Sequence, residues 1–254
     1  MRDLLKFIMI NMVTWKKPVN RINICKNETH IWLLPLKLKP EKYSLLKTVL
    51  SDDEMARAER FYFNMHHNNY IAARGQMRKI LDKYLQIENH KLVFSYNEFG
   101  KPYLENELLQ FNLSHSHNLA LLAINLQYEL GVDIEYIYRK TNLLQIAKRF
   151  FSTNEYNELK SLPTDLQRKG FFNCWTRKES YIKARGKGLG IPLSKFEVSL
   201  KPGDSVLLKC TRHDPAAVKN WMLYAFDPHP DYTAALTINT EETQLIFWDG
   251  SVIL

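Results

Sequence analysis

Cysteine is scarce in this sequence: Cys25, Cys174 and Cys210 are the only three among 254 residues, widely separated and odd in number. No CxxC occurs and no His/Cys cluster has zinc-ligand spacing, so a disulfide scaffold and a zinc module are excluded. Reduced thiols in a cytoplasmic protein are expected. Nine glycines and ten prolines are too few for a collagen-like or low-complexity chain. Long apolar runs are missing too, and no window approaches the length of a membrane span. Phe7 to Val13 follows Arg2 and Lys6 as a secretory leader would, but Asn11 interrupts it and no small-residue cleavage site precedes Trp15-Lys16-Lys17-Pro18. Residues 1–28 are therefore set apart as an N-terminal extension.

What remains is ordinary for a soluble globular protein, with 45% hydrophobic and 24% charged residues. At roughly 100 to 200 residues per domain, the chain holds one large domain or two small ones. Its 35 Lys and Arg outnumber 27 Asp and Glu, a formal net charge of +8 that implies an anionic partner. Charge alone does not choose among nucleic acid, a membrane surface, an acidic protein and a phosphorylated small molecule. No basic run is long enough to be an arm, and no helix-turn-helix, RNP or zinc-finger pattern is present.

Periodicity predicts a strand at His30–Leu36, and Ser51-Asp52-Asp53-Glu54 is a capping box that opens a helix. A longer helix follows over about His66–Leu85, with Ile71, Met77, Ile80, Leu81 and Leu85 on its apolar face. Strands are expected at Leu92–Tyr96, Leu119–Asn125 and Leu130–Ile134. A mostly helical stretch spans about Asn142–Arg185. Strands then return at Phe196–Leu200, Val206–Cys210, Met222–Phe226, Thr233–Ile238 and Gln244–Trp248. Helices grouped between strands predict an α+β fold. The chain also echoes itself: Arg60-Phe61-Tyr62 precedes Tyr70-Ile71-Ala72-Ala73-Arg74-Gly75, and Arg149-Phe150-Phe151 precedes Tyr181-Ile182-Lys183-Ala184-Arg185-Gly186. Either this is chance or it marks two similar halves meeting near Asn125–Leu130, with a ligand cleft between them.

Gly131-Val132-Asp133-Ile134-Glu135 places two carboxylates at i and i+2 of a strand, projecting from one face. Trp175 through Lys183 reads as a partly buried helix on which Glu179 and Lys183 are one turn apart. Three carboxylates without a histidine or thiol among them suit a hard divalent cation such as Mg2+, which prefers one or two carboxylates plus substrate phosphates. A lysine one turn from such a ligand would neutralise phosphate, and phosphoryl-type chemistry follows. In Phe111-Asn112-Leu113-Ser114-His115-Ser116-His117, adjacent residues of a strand face opposite ways, so Ser114 and His115 do not form a nucleophile and base pair. Phosphate contacts or a structural role are the two readings left. Phe99-Gly100-Lys101-Pro102 is a turn carrying a cation, and it is not a Walker A loop.

Taken in order, Gly100-Lys101-Pro102, Asn112-Leu113-Ser114-His115-Ser116, Gly131 through Glu135, and Trp175 through Lys183 followed by Gly186 resemble the successive motifs of the 4′-phosphopantetheinyl transferases. The likeness is to the larger monomeric type, similar to the surfactin-synthetase activator, and it spans roughly Ile31–Trp248. The resemblance implies two pseudo-symmetric α+β halves, each a small antiparallel sheet packed with helices. They would comprise 29–127, binding coenzyme A, and 128–254, holding the magnesium site, the catalytic helix and the carrier contact. It implies Mg-dependent transfer of phosphopantetheine from coenzyme A to a serine of an acyl or peptidyl carrier protein. Asp133, Glu135 and Glu179 match the magnesium acids and Lys183 the lysine that meets the pyrophosphate. Arg57, Gly100, Lys101, Pro102, Asn112, Ser114 and His115 fall in the coenzyme A motifs, with Glu179, Lys183 and Asp133 catalytic. The pattern departs after Phe61, where Asn68-Asn69 replace a basic residue, and Arg74 is the candidate substitute. The region from Gly186 resembles the carrier-binding segment, where Lys187 and Lys195 would steer an acidic partner. A monomer is expected, with neither nucleic acid nor membrane as partner. The competing readings are a metal-dependent nucleotide hydrolase or nuclease, using the same acids to activate water, and a basic nucleic-acid-binding module.

Overall fold

A computed structural model describes residues 9–10, 13–19, 22–105, 109–212 and 214–253, so part of the leader-like Phe7–Val13 stretch lies outside the described residues. After β1 (Met9–Ile10) come β2 (Glu28–Pro35), α1 (Pro40–Lys47), α2 (Asp52–Glu59), α3 (Asn64–Leu85), β3 (Phe94–Tyr96), β4 (Pro102–Leu104), β5 (Gln110–Ser116) and β6 (Leu119–Asn125). The same succession then repeats. It runs through β7 (Leu130–Tyr136), α4 (Leu143–Phe150), α5 (Thr153–Ser161), α6 (Thr164–Arg185), β8 (Phe196–Val198), β9 (Leu208–Thr211), a short α7 (Ala217–Asn220), β10 (Met222–His229) and β11 (Tyr232–Ile238). Strand β12 (Gln244–Asp249) is the last strand and leads into a 3-10 turn at Gly250–Ile253.

Within each half the three repeated strands are antiparallel and in equivalent order, β2-β6-β5 and β7-β11-β10. The α+β class and the two halves are as the sequence predicts. Each sheet also gains an edge strand: β12, which the sequence predicts as a strand but not in this sheet, pairs parallel with β2, and β1, which it does not predict, pairs parallel with β10. The last strand of the chain thus completes the N-terminal sheet. Part of the segment set apart as an extension is bound to the body, because Lys16 bridges Trp248 and the Trp15 indole donates to Pro228 O.

Local chemistry explains the element ends. Ser51 with Glu54 and Ser152 with Glu155 each form a complete capping box, and Asn142 accepts from Gln145 N at the start of α4. Helix α6 stops at Gly186, whose φ of 60° suits a residue without a Cβ. The link between halves is a turn on Asn125, which accepts from Gln127 N and Tyr128 N and donates to Glu28 O.

Alternation sorts the strands' side chains between cores. In β2, Trp32 and Leu34 enter a core with α3, while Ile31 joins a second core between the two sheets. Leu130, Val132 and Ile134 of β7 enter that middle core, so Gly131, Asp133 and Glu135 face the other way, toward α6. A Cβ built on Gly131 would lie 2.2 Å from Ala184 N and 2.3 Å from Ser180 O. Only a glycine lets strand and helix backbones approach this closely.

The repeat has a different register from the sequence echo. Tyr70 lies near the start of α3, whereas Tyr181 lies near the end of α6. The equivalence is carried instead by a buried ion pair in each half. Glu54 accepts from Arg74 Nε (2.9 Å) and Arg78 Nε (2.5 Å) under the Phe94 ring, and Glu155 pairs with Lys178 Nζ (2.7 Å) under the Phe196 ring. In both, the capping-box glutamate meets a cation from the long helix.

Candidate active site between the two halves

Strand β5 is the N-terminal sheet's edge beside β7, and its inward side chains do the joining. Asn112 Oδ1 accepts from Val132 N (2.9 Å), Ser114 Oγ donates to Asp133 Oδ1 (2.9 Å), and Ser116 Oγ donates to Glu135 Oε2 (2.8 Å) and accepts from Tyr136 N (3.0 Å). An Asn-x-Ser-x-Ser stripe at period two thus fastens one sheet to the acids of the other. His115, on the opposite face, is exposed, so the structure keeps it apart from Ser114 as alternation predicts. Partial burial, then the charges of Lys183 and His66, hold the His115 imidazole below its ordinary range.

Helix α6 supplies the other wall. Lys183 Nζ reaches across to Asp133 Oδ1 (2.6 Å) and Ser114 Oγ (2.8 Å), so residues from β5, β7 and α6 converge on one point. Glu179, one turn earlier, is half-buried. Burial and then the charge of Asp133 raise its pKa, with Lys183 opposing. Burial and Asp133 likewise raise Glu135, although Arg139 stands against it and against Ser116. Ser116 and Arg139 are members of the cluster that sequence reasoning missed. The i+2 spacing from Ser114 was the available signal for the serine, and Arg139 carries none.

The cleft between the halves, about 310 Å³, is lined by Gly100, Lys101, Pro102, Asn112, Glu179 and Lys183 among others. Lys101 turns its Nζ to Leu130 O (3.0 Å) and Ala184 O (3.1 Å), and burial pulls its pKa down to about 8. Arg57 is exposed on α2 with its guanidinium over the Tyr70 ring, outside these contacts. Arg74 does not serve as a replacement phosphate ligand: it is buried, and its guanidinium is engaged by Glu54 and the Tyr96 hydroxyl.

For a divalent cation the donors are of the right kind. Asp133 Oδ2 is buried and has no hydrogen-bond partner among the described residues, and Glu179 offers a second hard oxygen nearby. Among the described residues, no three metal-ligating side chains are gathered into a ready cage. Glu135 is directed instead to Ser116 and Arg139.

Comparison with known proteins agrees over both halves. A family model described as the 4′-phosphopantetheinyl transferase superfamily matches residues 129–237, and one described as 4′-phosphopantetheinyl transferase, N-terminal, matches 37–127. The chain is 38% identical over 239 residues to the 4′-phosphopantetheinyl transferase HetI of Nostoc sp., covering 92% of this chain and 98% of that one. It is 31% identical to Sfp of Bacillus subtilis over 219 residues, covering 82% and 95%. With gsp of Aneurinibacillus migulanus it shares 33% identity over 187 residues, covering 73% and 76%.

Proposed function

The chain belongs to the 4′-phosphopantetheinyl transferase family, and from that premise we propose how its cleft carries out the reaction. The protein is an enzyme that transfers the phosphopantetheine arm of coenzyme A to a carrier protein. The observation that carries the site assignment is the convergence of Lys183, Asp133 and Ser114 at the junction of the halves, with Glu179 one turn away.

Asp133 and Glu179 are the residues that would hold Mg2+, with Glu135, tied to Ser116 and Arg139, contributing at one remove. The ion, when bound, supplies charge neutralisation for the pyrophosphate. The carrier serine oxygen bonds to the phosphorus that bears pantetheine, and the bond from that phosphorus to the bridging oxygen breaks. The electron pair leaves with 3′,5′-ADP. Glu179 takes the serine proton, from its place on α6 one turn before Lys183. Lys183, already placed by Asp133 and Ser114, meets charge developing on the leaving phosphate. Ser114, His115 and Arg57 contact coenzyme A, while Gly100, Pro102 and Asn112 shape the cleft around it. A phosphate arriving beside His115 would raise an imidazole pKa that partial burial and Lys183 hold down.

Lys187 and Lys195 are both exposed beyond α6 and suit an acidic carrier surface. One chain contains both walls of the cleft, which supports a monomeric enzyme. Among the described residues, no helix is long and apolar enough to cross a membrane. We place the enzyme in the cytoplasm. The test is to incubate it with coenzyme A, Mg2+ and a panel of apo carriers and to weigh the products. A carrier gaining the mass of the arm is the expected result. Release of nucleotide without carrier modification would instead favour a hydrolase.

A further inference from the structure

The turn Asn97–Lys101, between β3 and β4, belongs to the N-terminal half by sequence, yet its side chains end on the last turn of α6. Asn97 shapes the turn: its Oδ1 accepts from Phe99 N (3.0 Å) and Lys101 N (2.9 Å), and Gly100 closes it at φ 81°. The Asn97 amide nitrogen is thereby aimed at Gly186 O, to which it donates at 2.7 Å. Lys101 Nζ donates to Ala184 O and, from the same ammonium, to Leu130 O. The final carbonyls of a helix lack intrahelical donors and carry the negative end of its dipole, so an amide and an ammonium there satisfy both needs. The Phe99 ring lies along the loop that follows, where a Cβ at Gly190 would come within 3.3 Å of it and one at Gly188 within 3.6 Å.

Ala184 is the residue after Lys183, and Leu130 begins the strand that carries Asp133. One ammonium therefore ties the helix of the first to the strand of the second. We infer that Lys101 and Asn97 are positioning residues that hold α6 in register on β7, and that Lys101 acts through two backbone carbonyls, not by contacting a coenzyme A phosphate. This goes against the role that the family resemblance implies for Lys101. It relies on the transferase reading only for its activity readout.

Lys101→Met keeps the aliphatic stem and removes the ammonium, and Asn97→Ala removes the neighbouring donor, which has no charge to offer a phosphate. Both should lower turnover by on the order of tenfold or more, since small displacements of reacting groups are costly. Coenzyme A affinity, measured by calorimetry, should stay within about twofold of wild type. Amide hydrogen exchange should quicken across residues 184–190 and stay unchanged across 170–178. The inference is overturned if Lys101→Met weakens coenzyme A binding more than it lowers turnover, if neither quantity moves, or if exchange in the last turn of α6 is unaltered. Should the wild type modify no carrier, the transferase reading fails, and the exchange comparison still decides whether the turn holds the helix.

Discussion

At the scale of single residues, the site is a set of side chains whose positions are fixed by neighbours from other elements. Asp133 is the clearest case, with one oxygen shared by Lys183 and Ser114 and the other buried with no partner among the described residues. Asp133→Asn should fold, because the amide oxygen still accepts from Ser114, yet lose transfer by about a hundredfold or more in single-turnover assays. Lys183→Ala should lower turnover more than it weakens coenzyme A binding. The opposite split, measured by calorimetry beside single-turnover transfer, would make it a binding residue only. Gly131 tests packing without touching charge. A methyl group there would overlap Ala184 N and Ser180 O, both backbone atoms that cannot swing away. Gly131→Ala should therefore cost about 3 kcal/mol, read from urea midpoints, and should reduce transfer because α6 is pushed off β7.

The elements owe their placement to the paired glutamates more than to helix propensity. Glu54 lies between Arg74 and Arg78, and Glu155 binds Lys178, which also donates to Leu193 O and Phe196 O. Removing one member of such a pair leaves a buried charge uncompensated, so Glu54→Ala and Glu155→Ala should each destabilise by about 3 to 5 kcal/mol. An exposed pair such as Lys209 with Glu158 should behave differently, Lys209→Ala costing under about 1 kcal/mol. Equal effects at the buried and exposed sites would show that these networks do not anchor the long helices. That the same device recurs in both halves explains why the two 22-residue helices take equivalent places despite dissimilar sequences.

For the whole molecule, the termini bind the halves together, since β12 extends the N-terminal sheet and β1 the C-terminal one. Deleting residues 244–254 removes the partner of β2 and exposes Trp32, which stacks on Trp248. Loss of cooperative unfolding in the N-terminal half is the expected outcome, visible as a second transition in calorimetry. Under the same strand, His30 provides a pH dependence. The Tyr84 hydroxyl accepts from the Trp32 indole and shares a hydrogen bond with His30 Nδ1 (2.7 Å), and burial, opposed by Glu28 at Nε2, lowers the His30 pKa below 6.5. The unfolded chain therefore binds a proton near pH 6.5 that the folded chain refuses. This contribution is intact above pH 6.5 and is lost as pH falls through the folded value. Melting temperature should drop between pH 7 and 5 more steeply in wild type than in His30→Gln.

Much of this was legible in the amino-acid order. Capping boxes, the period-two strands and the Gly131-x-Asp133-x-Glu135 face depend on neighbours a few positions away, and strand β6 appears with the expected bounds, Leu119–Asn125. The identity of the chemistry was legible too, because Glu179 and Lys183 share one helix and the acids share one strand. Partner choice was not. Arg74 reads as a candidate phosphate ligand until Glu54 and Tyr96 are seen to hold it, and Lys101 as one until its ammonium is found on Ala184 O and Leu130 O. Arg139 joined Glu135, β12 crossed to the other sheet, and the repeat took its register from buried ion pairs that sequence similarity did not mark. Propensity, alternation and capping act over one turn or one pleat and so are set by the sequence itself, whereas a charged side chain takes whichever partner the folded chain brings within reach, and burial makes that choice binding.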